Sequence, residues 1–291
     1  MSLLAVLLVT ASVLFHATWN VSLKEESSNA GFLVSFNAAA ALVVLPLAVW
    51  SILHHTVFLP LMPWLIASSV CNACYYLFLM CAYRAGDFSL AYPVSRSAPI
   101  FVVTLAGLFF GERPSAAGLA GIILVVTGCF LLPLEKGRMT LKKLLSPVMV
   151  FALLTALCTS GYSLFDKFGS KPAFQSLGMM GTLGYMGLEW FLTVVMLIPL
   201  VRIFLRERAL FRPLFEKTRK TFFAAFLMTL SYGFVMAAYQ YAQTSYVVGF
   251  RQMSIVLGVI LGAAVLKERV NALRVTGTAI VVAGLVLLAL A

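Results

Sequence analysis

Arg96, Glu189 and Arg251 are ionisable side chains set inside long apolar runs. A charge at the centre of a membrane helix costs about 2.5–3.5 kcal/mol on insertion scales, so it persists where it is paired, wet or used. Arginine offers a planar fork that bonds carboxylate or phosphate oxygens in pairs. Arg96 and Arg251 together therefore suit an anionic group, and the buried carboxyl of Glu189 suits a proton. The competing account pairs the arginines with Glu189 or with backbone carbonyls, only to hold helices together.

Polar side chains recur around these three. Ser12, His16 and Asn20 are spaced by four and share one helix face. Thr155, Thr159 and Ser163 repeat that stripe 143 residues on, with Tyr162 answering Trp19 and Lys167 answering Lys24. Tyr76 and Tyr83 are answered by Tyr232 and Tyr239 at an offset of 156, with Met80 and Met236 between them. Asn72, Gln240 and Gln252 lie nearby in sequence. The candidate substrate-binding set is Arg96, Arg251, Tyr76, Tyr83, Tyr232, Tyr239, Gln252, Asn72, His16, Asn20 and Trp19, with Glu189 the proton-coupling candidate. Interhelical hydrogen bonding, worth about 0.6 kcal/mol a contact, and core packing are the plainer explanations for the histidine, the methionines and some tyrosines.

The elements that must position these residues follow from a duplication. Residues 76–83 read YLFLMCAY and residues 232–239 read YGFVMAAY. The offset of 156 also superimposes Glu112-Arg113 on Glu268-Arg269, Gly121 on Gly277 and Gly128 on Gly284. A membrane-spanning helix needs about 20 mostly apolar residues. Ten segments meet that, near 2–22, 31–53, 61–83, 88–110, 115–134, 147–165, 178–202, 221–242, 245–266 and 271–290. The expected fold is all-α and polytopic: ten transmembrane helices in two five-helix repeats, 1–134 and 147–291, around a central cavity. Residues 135–146 form a basic connecting loop, and 203–220 are expected to hold a short interfacial helix. Five is odd, so the second repeat must run inverted relative to the first. Glycines of the fifth and tenth segments permit close helix packing. Arg96 and Arg251 sit in matching segments, one residue out of register.

Composition sets the solvent. Hydrophobic residues make up 62% and charged residues 11% of the 291, against about 25% charged in an average soluble domain. The mean hydropathy is +1.01, so lipid is the expected surrounding. The net charge of +11 lies in short loops between apolar runs, which fits lipid headgroups better than nucleic acid. Of the basic loop residues, Arg113, Lys167 and Lys171 fall on the side of the termini and sixteen on the other. By the positive-inside rule the sixteen are cytoplasmic and both termini are outside. The apolar N-terminus, interrupted by Ser12, His16 and Asn20, reads as a first span. Cys71 and Cys74 form a lone CxxC with no second pair, and all five cysteines read as inert, so no metal or other cofactor is expected. No HExxH, GxSxG or P-loop occurs, so the chain is not expected to be an enzyme, and any transport would draw on gradients.

Two five-span repeats resemble the EamA type of the drug/metabolite transporter superfamily. Each repeat ends in an acid-basic turn (Gly111-Glu112-Arg113-Pro114; Lys267-Glu268-Arg269) and a glycine-spaced last helix. The second turn departs from the first in having Lys267 in place of Gly111. The resemblance implies a basket of helices around a central cavity and a multipass protein of the inner (plasma) membrane. It implies a secondary transporter, an exporter or exchanger of a small polar metabolite such as an amino acid or organic anion. It also implies both termini in the cytoplasm, opposite to the charge count. The expected partners are a small-molecule substrate and membrane lipids, with no nucleic acid, in a monomer or homodimer. The alternatives are a flippase for a lipid-linked substrate and a membrane receptor or scaffold without transport.

Overall fold

A computed structural model describes residues 1–23, 26, 29–85, 94–131, 146–264 and 272–291, with side chains left out at 20–23 and 261–264. Its regular elements are all helical: α1 Leu3–Leu23, α2 Ala30–Val43, α3 Leu45–Leu53, α4 His55–Phe58, α5 Met62–Ala85, α6 Ala98–Phe110, α7 Ala116–Leu131, α8 Pro147–Phe204, α9 Arg212–Glu216, α10 Thr218–Tyr239, α11 Thr244–Phe250, α12 Met253–Ala264 and α13 Ala272–Leu290. Helix covers most of the described part of every expected span, with breaks at 96–97 and 251–252. Among the described residues, four stretches qualify as full crossings by length and apolarity: His55–Ala85, Pro147–Phe204, Thr218–Tyr239 and Ala272–Leu290. The pair α2 and α3, bent by 52°, makes a fifth. The bend falls where Pro46 opens α3, because proline has no N–H to continue the ladder of α2.

Local sequence explains several helix ends. Asn29 caps α2 by accepting from Phe32 N at 3.0 Å, and Ser146 caps α8 by accepting from Met149 N at 3.4 Å. Gly111 takes the left-handed conformation (φ 68°) after α6, and Glu112 N returns to Ala106 O at 3.1 Å. The expected interfacial helix of residues 203–220 is confined to the five residues of α9. Of the expected connecting loop 135–146, all but Ser146 lies outside the described residues.

Helix α8 holds two expected spans and reverses at Gly178, whose φ of 61° and ψ of −146° break the helix. A straight helix would separate residues 166 and 189 by about 34 Å at about 1.5 Å per residue. Instead Asp166 meets Ser68 and Glu189 meets Asn72, one turn apart on α5. The first limb is longer than its sequence suggests. It continues to residue 177, where apolarity alone ended it at 165, and this carries Asp166 deep into the bundle.

The seam between the repeats has the pattern of an internal two-fold. A methyl group on Gly121 of α7 would sit 2.9 Å from Gly284 O of α13, and one on Gly128 would sit 2.7 Å from Gly277 O. Exchanging the halves turns the contact of Gly121 with Gly284 into that of Gly277 with Gly128, so the seam maps onto itself as an isologous contact must. The glycines thus permit the close packing their spacing suggested, and the partners are α7 and α13 themselves. The packing of α1 on α10 is matched by that of the first limb of α8 on α5. Met1 N approaches Ala289 O at 3.5 Å, placing both termini at one end.

Candidate functional site

Both arginines occupy helix breaks. Arg96 follows a short helical piece at Val94-Ser95 and precedes α6, while Arg251 and Gln252 separate α11 from α12. Each break places a helix N-terminus, with its partial positive charge, beside a guanidinium group. Arg96 donates to His16 Nε2 at 2.8 Å. The His16 ring meets Trp19 edge-on at 4.9 Å, and Trp19 Nε1 is buried without a hydrogen-bond partner among the described residues. Arg251 lies over the Tyr232 ring, 5.6 Å from its centre. Tyr162 and Tyr239 also lie within its electrostatic reach. Among the described residues, no carboxylate comes within ion-pair distance of Arg251.

Glu189 is 1% exposed. Its Oε1 accepts from Asn72 Nδ2 at 3.1 Å and from Thr193 Oγ1 at 2.7 Å. Its Oε2 is buried with no partner among the described residues. The structural alternative, a salt bridge from Glu189 to an arginine, is therefore not formed.

Counting only Arg96, Glu189 and Arg251 as ionisable groups inside the spans needs correction. Asp166 is also 1% exposed, because the first limb of α8 runs twelve residues past its apolar stretch. Ser68 Oγ donates to Asp166 Oδ1 at 2.5 Å, and Tyr232 OH donates to Oδ2. Tyr232 thus touches a carboxylate with its hydroxyl and a guanidinium with its ring. The missed residue had a signal: Thr159, Ser163, Asp166 and Ser170 are spaced by four, three and four, so the polar stripe of this helix simply continues.

Other candidates scatter more widely. Tyr76 OH lies 3.8 Å from Met228 Sδ, and its ring meets Tyr75 at 4.9 Å. Tyr75 continues to Tyr162 at 5.7 Å and Tyr162 to Tyr232 at 6.2 Å, so an aromatic wall joins Tyr76 to the Arg251 site. Tyr75 and Trp190, which is 5.9 Å from Tyr232, were not singled out in the sequence. Tyr83 packs elsewhere, against a cluster containing Val94 and Met149. Met80 and Met236 are buried packing residues. Gln252 is 3% exposed; its amide donates to Val248 O at 3.1 Å while Oε1 has no partner among the described residues. The Asn20 side chain lies outside the described residues.

A cavity of about 710 Å³ opens beside the termini, with Met1, Ala291, Lys167, Lys171, Gln240 and Tyr239 in its wall. Tyr239 thus faces both this vestibule and the surroundings of Arg251. At its edge, Lys167 donates to Ala242 O at 2.6 Å and pairs with Glu112 at 3.3 Å. Glu112, from the turn after α6, also accepts the N–H and hydroxyl of Thr244, both at 2.8 Å. It accepts those of Ser245 at 3.3 and 3.2 Å. The acid of the first repeat's turn therefore caps α11 of the second repeat, the helix that ends at Arg251. Burial pushes the Glu112 carboxyl up, but the Lys167 ammonium and the Thr244 and Ser245 hydrogen bonds outweigh it and hold the group below its ordinary value. Among the described residues no three metal-ligating side chains gather, and the five cysteines are unpaired.

Apolar helices in two related halves, broken at matched arginines, have the organisation of a polytopic membrane transporter. The sequence matches the EamA-like transporter family over residues 3–133 and again over 146–290, and the chain belongs to that family. Its members are transporters of the drug/metabolite superfamily and not enzymes. No curated protein matches the sequence. Among solved structures, one described as "Crystal structure of protein" superimposes with a TM-score of 0.72. It is 16% identical, and the match covers 98% of this chain and 96% of that one, which shows a shared fold.

Proposed function

We propose that this transporter is a secondary carrier, an exporter or exchanger, for a small polar metabolite bearing an anionic group, such as an amino acid or organic anion, in the inner membrane. The observation that carries the reading is Arg251: a guanidinium in an apolar bundle, seated on Tyr232, with no acidic partner within ion-pair distance among the described residues. An unpaired cation there needs an anion, and a substrate carboxylate or phosphate supplies one. The N-termini of α6 and α12 add favourable dipoles at the same two breaks. The vestibule gives access from the side of the termini, and Lys171 in its wall attracts anions. Exchange of the open side across the internal two-fold would present the arginines to the other compartment.

The test is a panel of radiolabelled amino acids and organic anions in proteoliposomes, with melting temperature measured on the same samples. Arg251→Ala should abolish transport of the accepted solute while melting stays near that of the unmodified protein. Arg251→Lys should recover part of the activity, because an ammonium keeps the charge and loses the planar fork. Arg96→Ala should weaken binding and also release His16. Full transport by both alanine variants would refute the assignment. Early melting together with lost activity would return the arginines to a structural role.

A further inference from the structure

We infer that Asp166 and Glu189 form one proton-binding site straddling α5, and that Tyr232 ties its occupancy to Arg251. The two carboxylates lie on opposite limbs of α8, each 1% exposed, and are held by side chains one turn apart on α5. Their hydrogen bonds differ in kind. Both oxygens of Asp166 accept from hydroxyls, Ser68 on one side and Tyr232 on the other, which suits an ionised group. Glu189 accepts twice on Oε1 and has a bare, buried Oε2, which suits a carboxylic acid. A buried charge without a cation is expensive, and the ordinary escape is neutralisation by a proton. Among the described residues neither carboxylate has a cation within ion-pair distance. One proton shared by the pair, with the remaining charge facing Arg251 through Tyr232, satisfies every one of these contacts.

Among the described residues, the electrostatic neighbours of the pair are tyrosines, Cys71 and Arg251. From α5, Cys71 and Tyr76 face it. From α8, Tyr162 and Tyr185 do so, Tyr185 donating to Phe165 O at 3.2 Å. From α10 come Tyr232 and Tyr239. Lys167, next in sequence to Asp166, is committed on another face to Ala242 and Glu112. Arg251 is thus the cation whose field reaches Asp166. When Asp166 is ionised it draws on Arg251; when it is protonated, Arg251 is left to a substrate anion. Proton and anion binding then favour one another, and linkage makes the effect reciprocal.

The proton site is tested without any substrate, so it stands or falls apart from the carrier reading on which its transport role rests. Protein in lipid vesicles is followed by infrared difference spectroscopy between acidic and alkaline buffers, in sodium and in choline salts. The expected result is a protonated-carboxyl carbonyl band that disappears as pH rises, identical in both salts. The band is lost in Glu189→Gln, changed in Asp166→Asn, and displaced in its pH midpoint by Tyr232→Phe. Thr193→Val, which removes only one donor to Glu189, should shift the band frequency in a protein that still folds. Labelling of Glu189 by dicyclohexylcarbodiimide, mapped by mass spectrometry, should fall in step with the band. A spectrum without a pH-dependent carboxyl band, or a band unchanged in all four variants, overturns the inference. So does a band that sodium displaces. A band that behaves as stated in a protein that moves no solute leaves the proton site standing and refutes the carrier reading.

Discussion

Replacing Glu112 by glutamine tests how the two repeats are joined. The carboxylate accepts four hydrogen bonds from Thr244 and Ser245, at 2.8 to 3.3 Å, and pairs with Lys167 at 3.3 Å. The pair is little exposed, with side chains 14% and 6% accessible for Lys167 and Glu112. An amide keeps one acceptor oxygen, so about half the bonds go and the ammonium retains only Ala242 O. Hydrogen bonds to charged groups contribute roughly 1.5–3 kcal/mol each, and removing one partner of a buried ion pair costs about 3–5 kcal/mol. These figures overlap in what they count, so the expected loss is about 3–5 kcal/mol and not their sum. Adding Lys167→Met removes the orphaned ammonium and should recover part of that loss, with a coupling of about 1–3 kcal/mol in the double-mutant cycle. Thermal melting of the reconstituted variants measures both. The sign with pH follows from the carboxyl being held below its ordinary value, about 4.3. Its stabilisation is fully present above that value and is lost as pH falls through the lower folded one. The gap between unmodified protein and Glu112→Gln should therefore be full at neutral pH and close in acid. A glutamine variant within about 0.5 kcal/mol of the parent at neutral pH, the range of an ordinary surface change, would refute the reasoning.

Three further outcomes are expected. Gly178→Ala forces a side chain into a conformation (φ 61°, ψ −146°) that is essentially glycine's alone; a loss of about 1–3 kcal/mol should appear in melting, though nothing crowds the position. Gly121→Val pushes a side chain against the Gly284 backbone 2.9 Å away, so the α7–α13 seam should loosen and melting should fall by an overpacking loss of about 1–3 kcal/mol. The excess of sixteen basic loop residues over three on the side of the termini predicts that Ala291 lies outside, so a fluorescent protein that matures only in the cytosol should stay dark when fused there; bright cells would reverse the orientation.

What the sequence reveals here is set by what lipid enforces. Span positions are legible because hydrocarbon demands unbroken apolar stretches of about 20 residues. That α7 and α13 pack closely is legible because glycines at matched positions have few other uses in an apolar helix, but that they pack on each other is not. Ion-pair partners are not legible, since they depend on the rotation and depth of helices far apart in the chain. Glu189 illustrates this. Its partner Thr193 could be read from the four-residue spacing, but Asn72 comes from 117 residues away. Asp166 was hidden by its neighbour Lys167, which makes the pair look like the start of a loop. The helix in fact continues, and Asp166 and Lys167 point to different surroundings, one to Ser68 and Tyr232 and the other to Ala242 and Glu112. About 100° separates consecutive side chains on a helix of 3.6 residues per turn, enough to send one charge into the core and the next to the vestibule. Apolarity averaged over a window erases that distinction, while the spacing of Thr159, Ser163, Asp166 and Ser170 keeps it. In a membrane helix, then, the phase of a polar residue within its stripe is the better guide to its burial, and by that rule Asp166 belongs with Glu189 and not with the loops.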